Sequence, residues 1–233
     1  MYRCDLPCFG NLRNKSQIHY LCPKPKRLKK ELLDGTMLPV MEEFYSLQGE
    51  GCHTGKPAWF VRIGGCDTGC FWCDIKESWD PDLHPLTKIS DVVARVAKCP
   101  AAAVVVTGGE PLLYNLAPLT EAIHALNAQT FIETCGAPPI TGAWDWICLS
   151  PKRENPPDRA VFKLASELKV IIFDPGDFAW AEENANFVGE KCLLYLQPEW
   201  SNRKKMIPVI VDYIRQNPKW RLSLQTHKYI HIP

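Results

Sequence analysis

The sequence predicts an α/β fold: a mainly parallel sheet curved into an incomplete barrel of six or seven strands. Three observations predict it. Short apolar runs with strand character alternate with helical patterns from Ala58 to Gln225, the arrangement of right-handed strand–helix–strand units. Polar punctuation follows the strands directly, as Thr107-Gly-Gly-Glu110, Glu133-Thr134, Ser150-Pro-Lys152, Gln197-Pro-Glu199 and Gln225-Thr-His227. In parallel α/β folds such carboxyl ends share one rim, and ligands bind there. A closed eight-stranded barrel takes about 250 residues, whereas residues 37–233, the patterned part, number 233 less 36, or 197.

Taken in order, Val40 to Gly51 ends in Leu47-Gln-Gly-Glu-Gly51, where two glycines mark a tight turn that lets backbone approach a ligand closely. Ala58-Trp-Phe-Val-Arg-Ile-Gly64 is β-rich and apolar, a strand that delivers the chain into a cysteine loop. Its Arg62 is either paired with a structural acid or pointed at an anionic ligand. Ser90 is expected to cap a helix reaching Cys99. Ala102–Thr107 reads as a strand buried on both faces. A helix over Leu116–Asn127 and strands over Thr130–Thr134 and Trp146–Leu149 follow. Then come a strand over Glu167–Phe173, a helix near Asp177–Asn186 and a strand over Lys191–Leu196. A helix of about fourteen residues carries Met206, Val209, Ile210, Tyr213 and Ile214 at helical spacing. Arg221–Gln225 is the last strand, and Thr226–Pro233 the tail.

The cysteine loop is Cys66-Asp-Thr-Gly-Cys70-Phe-Trp-Cys73, three thiols within eight residues. A run that short can wrap an iron–sulfur cube, which needs four ligands, so three cysteines leave one iron open. Zinc usually takes a second Cys/His pair, and no Cys-x-x-Cys follows downstream. Cys52 falls in an expected loop and is read as a non-ligand. Cys99, Cys135, Cys148 and Cys192 lie in or beside apolar segments and are read as buried thiols.

Composition bounds the rest. Apolar residues make up 46% and the net charge is +1, an ordinary globular balance. No apolar run reaches the length of a membrane span. Eleven cysteines without a secretory signal fit a reducing cytoplasm better than a disulfide framework. Residues 1–36 hold eight Lys/Arg against three Asp/Glu, a net of +5, whereas the remainder is −4. The basic segment could serve a nucleic acid or membrane surface. The favoured reading is a disordered N-terminal extension, or upstream sequence outside the folded chain, with one domain over residues 37–233. No nucleic-acid or membrane partner is therefore expected.

The C-x3-C-x2-C spacing with an aromatic before the third cysteine resembles the signature of radical S-adenosylmethionine (SAM) enzymes. Together with Ser46–Gly51, Phe60–Arg62, Thr107–Pro111, Ser150–Lys152, Leu196–Pro198 and Ser223–Lys228, it resembles the 7-carboxy-7-deazaguanine synthases over roughly residues 40–233. The resemblance implies a partial TIM-type radical SAM barrel and a [4Fe-4S] cluster on Cys66, Cys70 and Cys73. It implies SAM held by Gly109 and Glu110, by Ser150, Pro151 and Lys152, and by Gln197, Pro198, Glu199 and Trp200. It implies a pterin held by Leu47, Gln48, Gly49, Arg62, Thr107 and the terminal carboxylate of Pro233. The implied reaction converts 6-carboxy-5,6,7,8-tetrahydropterin to 7-carboxy-7-deazaguanine and ammonia, in queuosine and deazapurine biosynthesis, with no side chain as the catalyst. An external electron donor such as flavodoxin and a homodimer are implied as well.

The residue types agree. Arg62 offers a bidentate cation to a carboxylate, and Gln48 offers paired donor and acceptor to a flat amide edge. One departure stands out: relatives often carry Cys-Asp-Thr, whose Thr ligates magnesium, and here the run is Cys73-Asp74-Ile75. Isoleucine has no oxygen for a hard cation. Either Asp74, backbone, water and substrate hold magnesium, or the enzyme works without it. Two rival readings share the cysteines: an activase acting on a partner protein, and a non-catalytic iron–sulfur or zinc module.

Overall fold

The computed structural model describes residues 30–233, so residues 1–29 of the expected basic extension lie outside the described residues. Residues 30–36 fold onto the domain. A helical turn, α1 (Lys30–Leu33), places Leu32 in the core, and the Asn115 amide donates to the Asp34 carbonyl at 3.4 Å.

The strands are β1 (Met37–Leu47), β2 (Pro57–Ile63), β3 (Leu86–Lys88), β4 (Ala103–Gly108), β5 (Gln129–Thr134), β6 (Trp146–Leu149), β7 (Glu167–Ile172), β8 (Leu193–Pro198) and β9 (Trp220–Leu222). They form one sheet in the order β3-β1-β2-β4-β5-β6-β7-β8-β9. From β2 to β9 every pairing is parallel, giving the seven-stranded, open parallel sheet that the alternation pattern leads one to expect. β1 and β3 extend it by antiparallel pairing, and neither was foreseen as a strand. Their polar positions disguise them: β1 has only Leu38, Pro39 and Val40 buried in succession and a bulge between Val40 and Glu42.

The helices are α2 (Ile89–Val96), α3 (Ala117–His124), α4 (Arg159–Leu164), α5 (Asp177–Ala185), α6 (Arg203–Gln216) and α7 (Thr226–Ile230). Two expectations need correction. Ser90 does not cap α2, because the cap position falls two residues earlier, at Lys88, and the helix stops at Val96 rather than Cys99. The last strand ends at Leu222, and the expected tail contains α7.

Most of the core lies on one face of the sheet, and Ala58, Phe60, Ala103, Val105 and Phe131 form a smaller cluster apart from it. Val104, Val105 and Val106 are all fully buried, as parallel strands with both faces covered require. Leu38, Ile63, Val92, Leu119 and Ile123 fill the half around β1–β5, and Leu149, Leu168, Ile172, Leu196, Met206 and Ile210 the half around β6–β9. On α6 the buried stripe is Met206 and Ile210, whereas Val209 is exposed. Burying one such side chain contributes roughly 1.5–3 kcal/mol.

Candidate active site

Two glycines set where the cysteine loop lies. Gly108 ends β4 at φ +132°, and a Cβ there would stand 2.1 Å from the Ile63 carbonyl oxygen. A Cβ on Gly109 would stand 2.1 Å from the Gly65 carbonyl oxygen. No other residue fits this crossing. The Gly109 amide donates to Ile63 at 2.9 Å and the Glu110 amide to Gly65 at 2.8 Å, fastening the end of β4 to the base of the loop. The Gly65 amide donates to Ser78 at 2.6 Å and the Cys66 amide to Trp79 at 3.1 Å, closing the loop at its neck.

Above the strand ends lies a cavity of about 300 Å³. Its walls include Cys66, Cys70 and Cys73. They also include Gly109, Glu110, Ser150, Lys152, Gln197, Pro198, Glu199 and Trp200, all expected at SAM, and Leu47, Gln48, Gly49, Arg62, Thr107 and Pro233, all expected at substrate. Pro151 is buried and lies off the wall.

The thiols suit an iron–sulfur cluster. Burial raises Cys66, and burial together with the neighbouring Glu154, Cys66 and Cys73 pushes Cys70 up to about 12 against the pull of Lys152. Thiolates so placed need added positive charge. Lys152 is engaged elsewhere, donating to the Ser150 carbonyl and hydroxyl at 2.5 and 2.7 Å. Among the described residues no three His, Cys, Asp or Glu side chains gather closely enough to hold a single metal ion. A cube instead takes each thiolate at a different iron.

Magnesium fits poorly. Ile75 presents hydrocarbon to the cavity, and the Asp74 carboxylate already accepts from Lys228 Nζ and from Gln225 Nε2, the latter at 3.1 Å.

Several expected ligands also serve the fold. Glu110 is 1% exposed and accepts from the Leu112 amide (3.0 Å), the Thr134 hydroxyl (2.6 Å) and the Cys135 amide (2.7 Å). Glu199 takes the Ser201 amide and hydroxyl and the Asn202 amide ahead of α6. Gln197 Oε1 accepts from the Ser223 hydroxyl at 2.7 Å. Trp200 lies between Arg203, 3.7 Å from its ring centre, and Lys228 at 4.9 Å. The Ser46 hydroxyl donates to the Pro233 carbonyl oxygen at 3.1 Å.

Arg62 takes the structural alternative. Its Nε pairs with Glu42 Oε1 at 2.6 Å, yet it lines the cavity, and among the described residues its two terminal nitrogens have no hydrogen-bond partner.

Sequence reasoning missed a polar belt across the cavity floor. Lys169 Nζ bonds Glu50 Oε2, and also Glu133 Oε2 at 3.1 Å. Gln48 Nε2 donates to Glu133 Oε1 at 3.0 Å, and Gln225 Nε2 to Glu50 Oε1 at 2.9 Å, carrying the belt on to Asp74 and Lys228. Burial opposes the Glu50 carboxylate, but the Lys169 charge and hydrogen bond outweigh it and hold Glu50 at about 2. Burial likewise opposes the Lys169 ammonium, and the surrounding Cys148, Glu133, Glu50 and Glu167 overcome it and raise Lys169. The signal was present: a lysine inside the apolar run Glu167–Ile172 asks for a partner as Arg62 does.

No family model matches the chain. It is 55% identical over 208 residues to the 7-carboxy-7-deazaguanine synthase of Flavobacterium psychrophilum, covering 89% of this chain and 99% of that protein. It is 45% identical to the synthase of the same description from Synechocystis sp., over 83% of this chain and 93% of that one. Among solved structures, that of QueE from Escherichia coli matches with a TM-score of 0.75 at 28% identity, covering 84% of this chain and 97% of that chain.

Proposed function

The chain belongs to the 7-carboxy-7-deazaguanine synthase family, and from that premise we propose that it is a radical SAM lyase converting 6-carboxy-5,6,7,8-tetrahydropterin to 7-carboxy-7-deazaguanine with release of ammonia. The observation that carries this reading is a single cavity whose wall holds a three-cysteine loop on one side and Arg62, Thr107 and Gln48 on another. When bound, a [4Fe-4S] cluster with SAM would supply the radical chemistry. Cys66, Cys70 and Cys73 hold the cluster as thiolates. Gly109, Glu110, Ser150, Lys152 and the Gln197–Trp200 stretch form the SAM wall, and Pro151 is buried off that wall.

Arg62 keeps its terminal nitrogens for the substrate carboxylate while Glu42 holds its Nε. Leu47, Gln48, Gly49 and Thr107 orient the ring, which fixes the hydrogen to be removed. An external donor such as flavodoxin supplies the electron, and a reducing cytoplasm suits the thiols. Among the described residues no helix is long and apolar enough to cross a membrane. The test is anaerobic incubation of reconstituted protein with carboxytetrahydropterin, SAM and a reductant, read by mass spectrometry. The deazaguanine product is expected, and it should vanish with Cys70→Ala and persist with Cys52→Ala. SAM cleavage without that product would overturn the reading.

A further inference from the structure

Lys169 stands in the middle of β7 with 3% of its side chain exposed, opposite Tyr195 of β8. Its ammonium is shared by two carboxylates from separate elements, Glu50 from the β1–β2 connection and Glu133 from β5. One cation between two anions leaves an excess negative charge on the cavity floor. Lys152, also on the cavity wall, is held at Ser150 by its hydrogen bonds. Lys228 is matched by Asp74 and Arg62 by Glu42. Glu167, two residues earlier on β7, is buried, and burial favours its protonated form. Cys148 of β6 and His227 of α7 face the same group, and burial holds both toward their neutral forms. Glu133 lines the cavity with about a quarter of its side chain open, one oxygen toward Gln48 and the other toward Lys169.

A carboxylate in that setting is matched by two adjacent N–H donors in a fork, as in its pairing with guanidinium. The pterin proposed as substrate carries such an edge, an amino group beside a ring N–H. We infer that Lys169 is a positioning residue, holding Glu50 and Glu133 as a pair of carboxylates so that Glu133 takes the paired N–H edge of the pterin. The inference rests on the pterin reading above.

The experiment compares Lys169→Met with the unaltered protein, both reconstituted with cluster. Two close carboxylates without their cation cannot both stay ionised, so one keeps its proton to higher pH. The Michaelis constant for carboxytetrahydropterin should rise about tenfold or more, with a smaller fall in kcat. The acid limb of kcat/KM should move to higher pH. Adding Glu133→Gln to Lys169→Met should remove the displaced limb and leave KM high, a result that a purely structural lysine would not give. Cluster iron and SAM binding should not change. An unmoved KM and limb, or equal losses of SAM binding and kcat, would overturn the inference. If Lys169→Met does not fold, Glu133→Gln alone decides: a tenfold rise in KM with SAM binding kept supports it, and an unchanged KM sinks it. Failure of the pterin reading itself is distinct, because the unaltered protein would then yield no deazaguanine product.

Discussion

Arg62 is held by one ion pair and still faces the cavity. It lies on a strand whose neighbours Val61 and Ile63 are fully buried, where an unpaired charge costs several kcal/mol. Glu42, on the partner strand and 45% exposed, supplies the compensation through a single guanidinium nitrogen. Among the described residues the remaining nitrogens have no partner. Arg62→Ala should therefore raise the KM for the pterin roughly 30-fold or more, the loss of a desolvated charged hydrogen bond at about 2–5 kcal/mol. Iron content and SAM binding should stay unchanged. Glu42→Ala should leave KM near its starting value. If Arg62→Ala strips the cluster instead, the ion pair is structural. Ile75 is the opposite case, a residue whose chemistry removes an option. It puts hydrocarbon where a hard cation would need an oxygen, and its neighbour Asp74 is already neutralised by Lys228.

At the level of elements, the connection between β1 and β2 is the piece on which the cavity depends. It crosses the gap between the two sides of the open sheet and is held from three directions. The Thr226 amide and hydroxyl donate to Gly49, the Gly51 amide donates to Ser223, and the Cys52 amide donates to Glu167. Gly51 has φ +65°, and a Cβ there would lie 2.3 Å from Glu167 Oε1. Gly51→Ala should cost about 1–3 kcal/mol and raise the pterin KM more than that of SAM, measurable by thermal melts and steady-state kinetics. The connection also rests on His227 of α7, whose ring would meet any side chain at Gly49. Burial lowers the His227 pKa from 6.5, so the native state refuses a proton that the unfolded chain accepts. Its contribution is complete above pH 6.5 and declines as pH falls below it. Melting temperatures measured from pH 7.5 down to 5.5 should fall more steeply for the unaltered protein than for His227→Asn. Equal slopes would refute this.

For the whole molecule, the question is where the domain begins. The relative from Flavobacterium psychrophilum is matched over 99% of its length by 89% of this chain, so a complete synthase of this family needs no counterpart of the remainder. Leu32 packs into the core and Thr36 is tied to Asp34 through its amide and hydroxyl, at 3.0 and 2.7 Å. Removing residues 1–29 should leave cluster content and turnover unchanged. Removing residues 1–36 should lower the melting temperature, since exposing the Leu32 site gives up roughly 1.5–3 kcal/mol. If both truncations behave alike, α1 adds nothing to stability.

The sequence by itself determined the parallel architecture, because alternating apolar runs and helical patterns allow few other packings. It also determined the cysteine loop, since three thiols within eight residues are close whatever surrounds them. The polar residues at the strand ends were legible for a similar reason: parallel strands carry their carboxyl ends to one rim. Local pattern was too weak for β1, β3 and α7. Their stability comes from pairing with, or packing on, segments distant in the chain. The belt of Glu50, Glu133, Lys169, Gln225 and Lys228 was decided only in three dimensions. Its members come from the β1–β2 connection, β5, β7 and the C-terminal segment, and each looks ordinary alone. A buried lysine announces that it needs a partner, but which carboxylates answer depends on sheet order and register, and those are fixed by burial over the whole chain.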